Sequence, residues 1–135
     1  MVEIIPAVIP KDLNIVKEKF SKVLGLVKRV QIDMVDGHFA PTVTWPFGSG
    51  QMDELLKMVR EEERFPFIND FDIELDMLVL HPVEYLLDFI SIGFKGFVIH
   101  IDSTDHVKVC IDTIKNAECE VGLAIKPSGD VASLL

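Results

Sequence analysis

The stretch QIDMVDGHFAPTVTWPF, Gln31 to Phe47, decides how the rest of the chain reads. It begins at the end of a short strand-like run, Val27 to Asp33, in which Gln31 and Asp33 stand two positions apart. Residues i and i+2 of a strand point the same way, so the two polar groups share a face. A carboxylate at the C-terminal end of a buried strand, followed by a glycine-containing loop, is how an α/β enzyme presents a reactive group. The loop carries Asp36, Gly37 and His38, then Phe39, Trp45 and Phe47 among the turn formers Pro41, Pro46 and Gly48. Residue types alone leave two readings open: a working strand end, or a polar strand end whose loop aromatics pack on the core.

Upstream, Glu3 to Ile9 is a β-rich apolar run closed by Pro10. Asp12 is a good N-cap for a helix with Leu13, Val16, Phe20, Val23 and Leu24 at helical spacing. Gly25 ends that helix, and Leu26 to Asp33 forms the second strand. Downstream, Ser49 caps a helix whose apolar face is Met52, Leu55, Leu56 and Val59, and the charged run Arg60 to Arg64 is its solvated end. Phe71 to Leu80 is a third strand, and Pro82 opens a helix striped by Val83, Leu86, Leu87 and Ile90 and stopped by Gly93. Gly96 to Asp102 is a fourth strand, and Ser103 to Asp105 cap a helix with Val107, Cys110, Ile111 and Ile114. Glu120 to Lys126 is a fifth strand, and Ser128 or Asp130 opens a last helical pattern through Val131, Leu134 and Leu135.

Strand followed by helix, five times over, implies parallel strands joined by right-handed crossovers. The strands read as continuously apolar, as expected when both faces are covered. Two architectures fit: a segment of a TIM-type (β/α)₈ barrel, or an open doubly wound sheet. A complete barrel takes roughly 200 to 250 residues. The 135 residues here form one domain, 1–135, with about five of eight barrel units. In a barrel segment the first and fifth strands are free edges, which favours association with another copy or with a missing piece.

With 49% hydrophobic residues the chain buries a real core. No apolar run reaches the roughly 18 residues of a membrane span, and Met1-Val2-Glu3 does not start a signal peptide. A net charge of −9 disfavours nucleic acid and anionic membranes as partners. It does not disfavour a small anionic substrate, which a local loop or helix terminus can hold. Cys110 and Cys119 have neither metal-ligand nor redox-motif spacing and read as reduced thiols of a cytoplasmic protein.

Polar groups recur near the C-terminal halves of the later strands: Gln31 and Asp33, Glu74 and Asp76, His100 and Asp102, then Lys126. Brought together, they form a cluster suited to proton transfer or to a divalent cation with oxygen and nitrogen ligands. Each also has a plainer reading. Asp33 would be a buried structural acid, His100 a satisfied core histidine, and Lys126 a snorkelling side chain. Glu74 and Asp76 turn to the other side with a one-residue slip in register. His38, His81 and His106 fall in loops or caps and carry no assigned chemistry.

The motifs IIPAVI, QIDMVDGHFAPT, FVIHID and GLAIKP, in this order over nearly the whole chain, resemble the ribulose-phosphate 3-epimerase family. VDGHFAP is the most specific of them and GLAIKP the next. The resemblance implies a (β/α)₈ barrel that inverts C3 of a ketopentose phosphate with a divalent metal. In that chemistry one carboxylate removes the proton beside the carbonyl, the metal stabilises the cis-enediolate, and a second acid reprotonates the opposite face. The resemblance makes Asp33 the first acid and a metal ligand, and it places the second acid on a seventh strand, beyond this sequence. It also points to Ala7, His100 and Lys126 as substrate contacts. The metal set it implies falls on Gln31, Asp33, Glu74 and Asp76, where Gln31 and either Glu74 or Asp76 replace family histidines. Ala7 replaces a substrate-contacting serine, and Val35 a methionine. An amide and carboxylates favour Mg²⁺ or Mn²⁺ over Zn²⁺ if a metal binds.

Three functions follow for comparison. The first is an epimerase acting on a sugar phosphate, requiring further barrel units from a longer parent or a partner and expected to form a homo-oligomer. The second is a non-catalytic barrel relative with a binding or assembly role. The third, a barrel lyase or decarboxylase, lacks its Asp-x-Lys-x-x-Asp motif, because Asp33-Met34-Val35-Asp36 has no lysine.

Overall fold

A computed structural model describes residues 1–134. Five strands, β1 (Ala7–Val8), β2 (Arg29–Val35), β3 (Asp72–Leu78), β4 (Gly96–His100) and β5 (Glu120–Ala124), form one parallel sheet in the order β1-β2-β3-β4-β5. Four α-helices alternate with them: α1 (Leu13–Val23), α2 (Gln51–Arg60), α3 (Val83–Ser91) and α4 (Val107–Asn116). Short 3₁₀ turns lie at Ile101–Ser103 and Val131–Leu134. A doubly wound sheet reverses its strand order at a switch point. This one never reverses, and buried residues of all four helices share a single core cluster with one face of the sheet. That arrangement is the (β/α) barrel type, with β1 and β5 as edges of the sheet. None of the described helices is long and apolar enough to cross a membrane.

Each helix forms for a local reason. Asp12 caps α1 by accepting the Ile15 N–H at 3.0 Å, and Val16 and Phe20 are its fully buried residues. Phe20 meets Phe67 and Phe71 edge-on at 6.1 and 5.3 Å. Helix α2 opens at Gly50, in the left-handed region (φ 74°), and not with a Ser49 cap. The Gln51 side chain accounts for this, since its carbonyl accepts the Gly48 N–H and its amide reaches the Lys11 carbonyl. Gly93 ends α3 at φ 113°, where an added Cβ would lie 2.8 Å from both Arg64 and Ile68. That position needs glycine for its backbone and for its space.

Three expectations need correction. The strands alternate instead of being apolar throughout. In β2, Val30, Ile32 and Met34 are buried under the helices, whereas Arg29, Gln31 and Asp33 are half-buried on the other face. All helices cover the same side, so only that side must be apolar. Strand β1 shrinks to two residues paired with Gln31 and Ile32. Strand β4 stops at His100, where the chain turns into a 3₁₀ helix, so exposed Asp102 does not share the face of His100. At the C-terminal end, Asp130 accepts the Ala132 N–H at 2.9 Å and opens the final 3₁₀ turn, while Leu135 lies outside the described residues.

Candidate active site

The inner face of the sheet, opposite the helices, carries the polar residues in rows set by the strand register. Ala7, Gln31 and Glu74 align across β1, β2 and β3, and Asp33 aligns with Asp76 in the next row towards the C-terminal ends. Rows of same-facing residues are spaced about 6–7 Å along a strand. His100, two residues beyond the partner of Asp76, completes the upper group.

Two side-chain pairs organise this upper group. The Gln31 amide donates to Asp33 Oδ1 at 2.9 Å, and His100 Nε2 lies 2.6 Å from Asp76 Oδ1. The Asp76 and His100 side chains are only 20% and 15% exposed, so their charge and hydrogen bonding are little diluted by water. Burial pushes the Asp33 carboxyl up from its ordinary range. The Gln31 hydrogen bond and His100 oppose that rise, and the neighbouring Asp76 charge adds to it. A carboxylate held this way is a stronger base than a solvated one.

The backbone around Asp33 is fixed by the loop that follows it. β1 pairs with β2 only as far as Ile32. Beyond that point Thr44 takes over: its hydroxyl accepts the Val35 N–H at 2.8 Å and lies 3.2 Å from the Asp33 carbonyl. Its own N–H donates to Val35 O, and Asp36 bridges Val43 in antiparallel fashion. Asp36 is the hub of the turn, accepting the N–H groups of His38, Phe39 and Leu80 at 2.8 to 2.9 Å. Burial works to raise its pKa, but the three N–H donors outweigh burial and hold it below the usual carboxylate range.

The loop aromatics divide between the two readings left open by the sequence. Trp45 is fully buried, donates its indole N–H to Glu54 at 2.8 Å and packs 5.6 Å from Phe65. Phe47 meets Tyr85 edge-on at 5.1 Å. Phe39 does neither. Its ring lies 5.3 Å from the His100 ring at the strand ends, and the Lys126 ammonium stands over it at 5.3 Å. The sequence named Asp36 and Phe39 within this loop without assigning either a role, and Thr44 not at all. The Asp36-Gly37 pair, a typical start for a turn closed by an aspartate side chain, was the one available signal.

The expected residues therefore fall into two layers. Gln31, Asp33, Asp76 and His100 form the upper one, and Lys126 reaches it across Phe39. Glu74 belongs to a cleft of about 190 Å³ at the other end of the strands, with Arg29, Asp72 and Glu120. There Arg29 reaches Glu120 at 3.3 Å, and burial raises the Glu74 pKa against the pull of Arg29. The cleft is open to solvent, and Asp33 is not among the residues that line it. Gln31, Asp33, Glu74 and Asp76 are thus not gathered into one ligand set. Among the described residues no three His, Cys, Asp or Glu side chains converge to hold an ion. As arranged, these donors do not fit a resident divalent metal.

Comparison with known proteins adds to this geometry. The model of the ribulose-phosphate 3 epimerase family matches residues 3–135. The ribulose-phosphate 3-epimerase of Treponema pallidum (strain Nichols) is 30% identical over 105 residues, which cover 78% of this chain and 43% of the relative. That of Aquifex aeolicus (strain VF5) is 21% identical over 130 residues, 96% of this chain and 53% of the relative. That of Escherichia coli (strain K12) is 26% identical over 133 residues, 97% of this chain and 54% of the relative. The chain spans about half the length, or less, of these relatives.

Proposed function

The chain belongs to the ribulose-phosphate 3-epimerase family, and from that membership we propose that its strand ends form one wall of a sugar-phosphate epimerase site. The reaction is the interconversion of ribulose 5-phosphate and xylulose 5-phosphate in carbohydrate metabolism. The observation that carries this reading is Asp33, a half-buried carboxylate of raised pKa between Gln31 and Asp76. In the proposed step the Asp33 carboxylate removes the C3 proton. The electron pair moves into the C3–C2 bond and the carbonyl π electrons move to oxygen, giving an enediolate. Gln31 holds Asp33 in position through its amide. Reprotonation from the other side inverts C3 and requires a second acid, which the family resemblance places on a seventh strand. Ala7, across from Gln31, and His100 and Lys126 at the mouth are the proposed substrate contacts. The free thiols Cys110 and Cys119 support a reducing, cytoplasmic setting, and the exposed Ile4, Ile5 and Ile9 beside the two-residue strand β1 support a homo-oligomer.

Deuterium exchange at C3 of ribulose 5-phosphate in D₂O tests the base alone, and formation of xylulose 5-phosphate tests the complete reaction. Asp33→Asn should slow exchange by about 10²- to 10⁴-fold. Unchanged exchange would place the base elsewhere. A second reading, a non-catalytic relative with a binding or assembly role, is favoured by one observation: Gln31–Asp33 and Asp76–His100 are hydrogen-bonded to each other in closed pairs. Absence of both exchange and product from the wild-type protein would select it.

A further inference from the structure

We propose that Asp76 fixes the proton of the His100 ring on Nε2, so that Nδ1 stands at the strand ends as the acceptor for a hydroxyl of the sugar. The proposal rests on the epimerase reading and adds to it which group of the substrate His100 meets. Three observations carry it.

First, His100 is held from three sides at the point where β4 ends. Asp76 Oδ1 lies 2.6 Å from Nε2, the Phe39 ring packs 5.3 Å from the imidazole, and the Ser103 hydroxyl donates to the His100 carbonyl at 2.7 Å. Among the described residues, His100 is the one histidine whose ring is hydrogen-bonded. Second, an ionised carboxylate only accepts, so Nε2 carries the proton in this pair. The hydrogen bond at one ring nitrogen decides the state of the other, and in the neutral ring Nδ1 keeps its lone pair. Among the described residues Nδ1 has no hydrogen-bond partner, and no side-chain nitrogen or oxygen is both buried and unpartnered, so Nδ1 is open to solvent. Third, the lone pair selects what meets it. Carbonyl and phosphate oxygens are acceptors and are repelled, whereas a hydroxyl donates. A metal ion would need further ligands, and among the described residues no such set converges. Asp76 is the register partner of Asp33, about 5 Å away across the strands. A sugar with C3 at Asp33 therefore brings its C1 or C4 hydroxyl within reach of His100.

Two measurements test this on the same protein. Long-range proton–nitrogen NMR, with the His100 signals assigned by their loss in His100→Phe, reads which ring nitrogen carries the proton. The wild type should show it on Nε2, and Asp76→Leu should let it populate Nδ1. A proton on Nδ1 in the wild type, or an unchanged tautomer in Asp76→Leu, overturns the proposal. Calorimetry then compares ribulose 5-phosphate with its 1-deoxy and 4-deoxy analogues. The ratio of affinities is the readout, because charge effects common to the ligands cancel in it. The wild type should favour ribulose 5-phosphate over at least one analogue by roughly three- to tenfold, the worth of one hydrogen bond. His100→Phe keeps a ring against Phe39 and removes both nitrogens. This variant and Asp76→Leu should each abolish the preference over one and the same analogue. A wild type that distinguishes neither analogue, or preferences that all survive either substitution, overturns the proposal and leaves the epimerase reading in place. Failure of the wild type to bind ribulose 5-phosphate overturns the epimerase reading itself, and the hydroxyl contact with it.

Discussion

Burial disfavours the charged form of Asp33, and the adjacent Asp76 carboxylate adds to that, while the Gln31 amide and His100 work the other way. The balance leaves the folded chain holding this proton more tightly than the unfolded chain, whose carboxyl titrates near 3.8. Such a group contributes stability below its unfolded pKa and loses it as pH rises through the folded value. Glu74, raised by burial, has the same sign. Asp36 has the opposite one: its stabilisation is present above 3.8 and is lost as pH falls through its lowered pKa. Asp33→Asn removes the ionisation and still accepts the Gln31 N–H. It should therefore raise the thermal midpoint at neutral pH by roughly 2–5 °C, an advantage that disappears below about pH 4. Melting curves between pH 4 and 8 check this. A lower midpoint at pH 7 would mean that the carboxylate is a net structural asset, contrary to the proposal that it serves as the base.

Among the elements, α1 shows how local signals and packing share the work. Its Asp12 cap satisfies one N–H at the helix start, and its inward face places Phe20 between Phe67 and Phe71. The two contributions differ in size. Asp12→Ala should cost about 1 kcal/mol, a single lost cap. Phe20→Ala should cost about 3–5 kcal/mol, the transfer free energy plus the cavity left among the surrounding rings. Urea titrations measure both. Equal losses would mean that the ring cluster collapses to fill the space.

At the scale of the sheet, the described residues are covered by helices on one side and carry the carboxylates of Asp33, Glu74 and Asp76 on the other. β1 is a two-residue edge, and Ile4, Ile5 and Ile9 around it are exposed. Unpaired backbone groups beside exposed apolar side chains favour association, while the charge of −9 opposes it through repulsion that salt screens. Light scattering should therefore give a mass above that of one chain, rising with ionic strength. A stable monomer at high concentration and high salt would remove the oligomer from the proposal.

Taken alone, the sequence determined the alternation of strands and helices, the α1 cap and the face shared by Gln31 and Asp33. Each depends on residues close together in the chain, through hydrogen-bonding distance and side-chain period. It also carried the family resemblance through VDGHFAP and GLAIKP. The strand–helix pattern left barrel and doubly wound sheet open and the resemblance pointed to the barrel; the observed strand order settled it, because that order is a relation between distant segments. Tertiary structure likewise set Glu74 opposite Gln31 and Asp76 opposite Asp33, and joined His100 of the neighbouring strand to Asp76. It sent Trp45 into the core and Phe39 to the mouth, although both are aromatics of one loop. Which of two similar rings is buried depends on what the fold has already placed beneath it, and residue type carries no information about that.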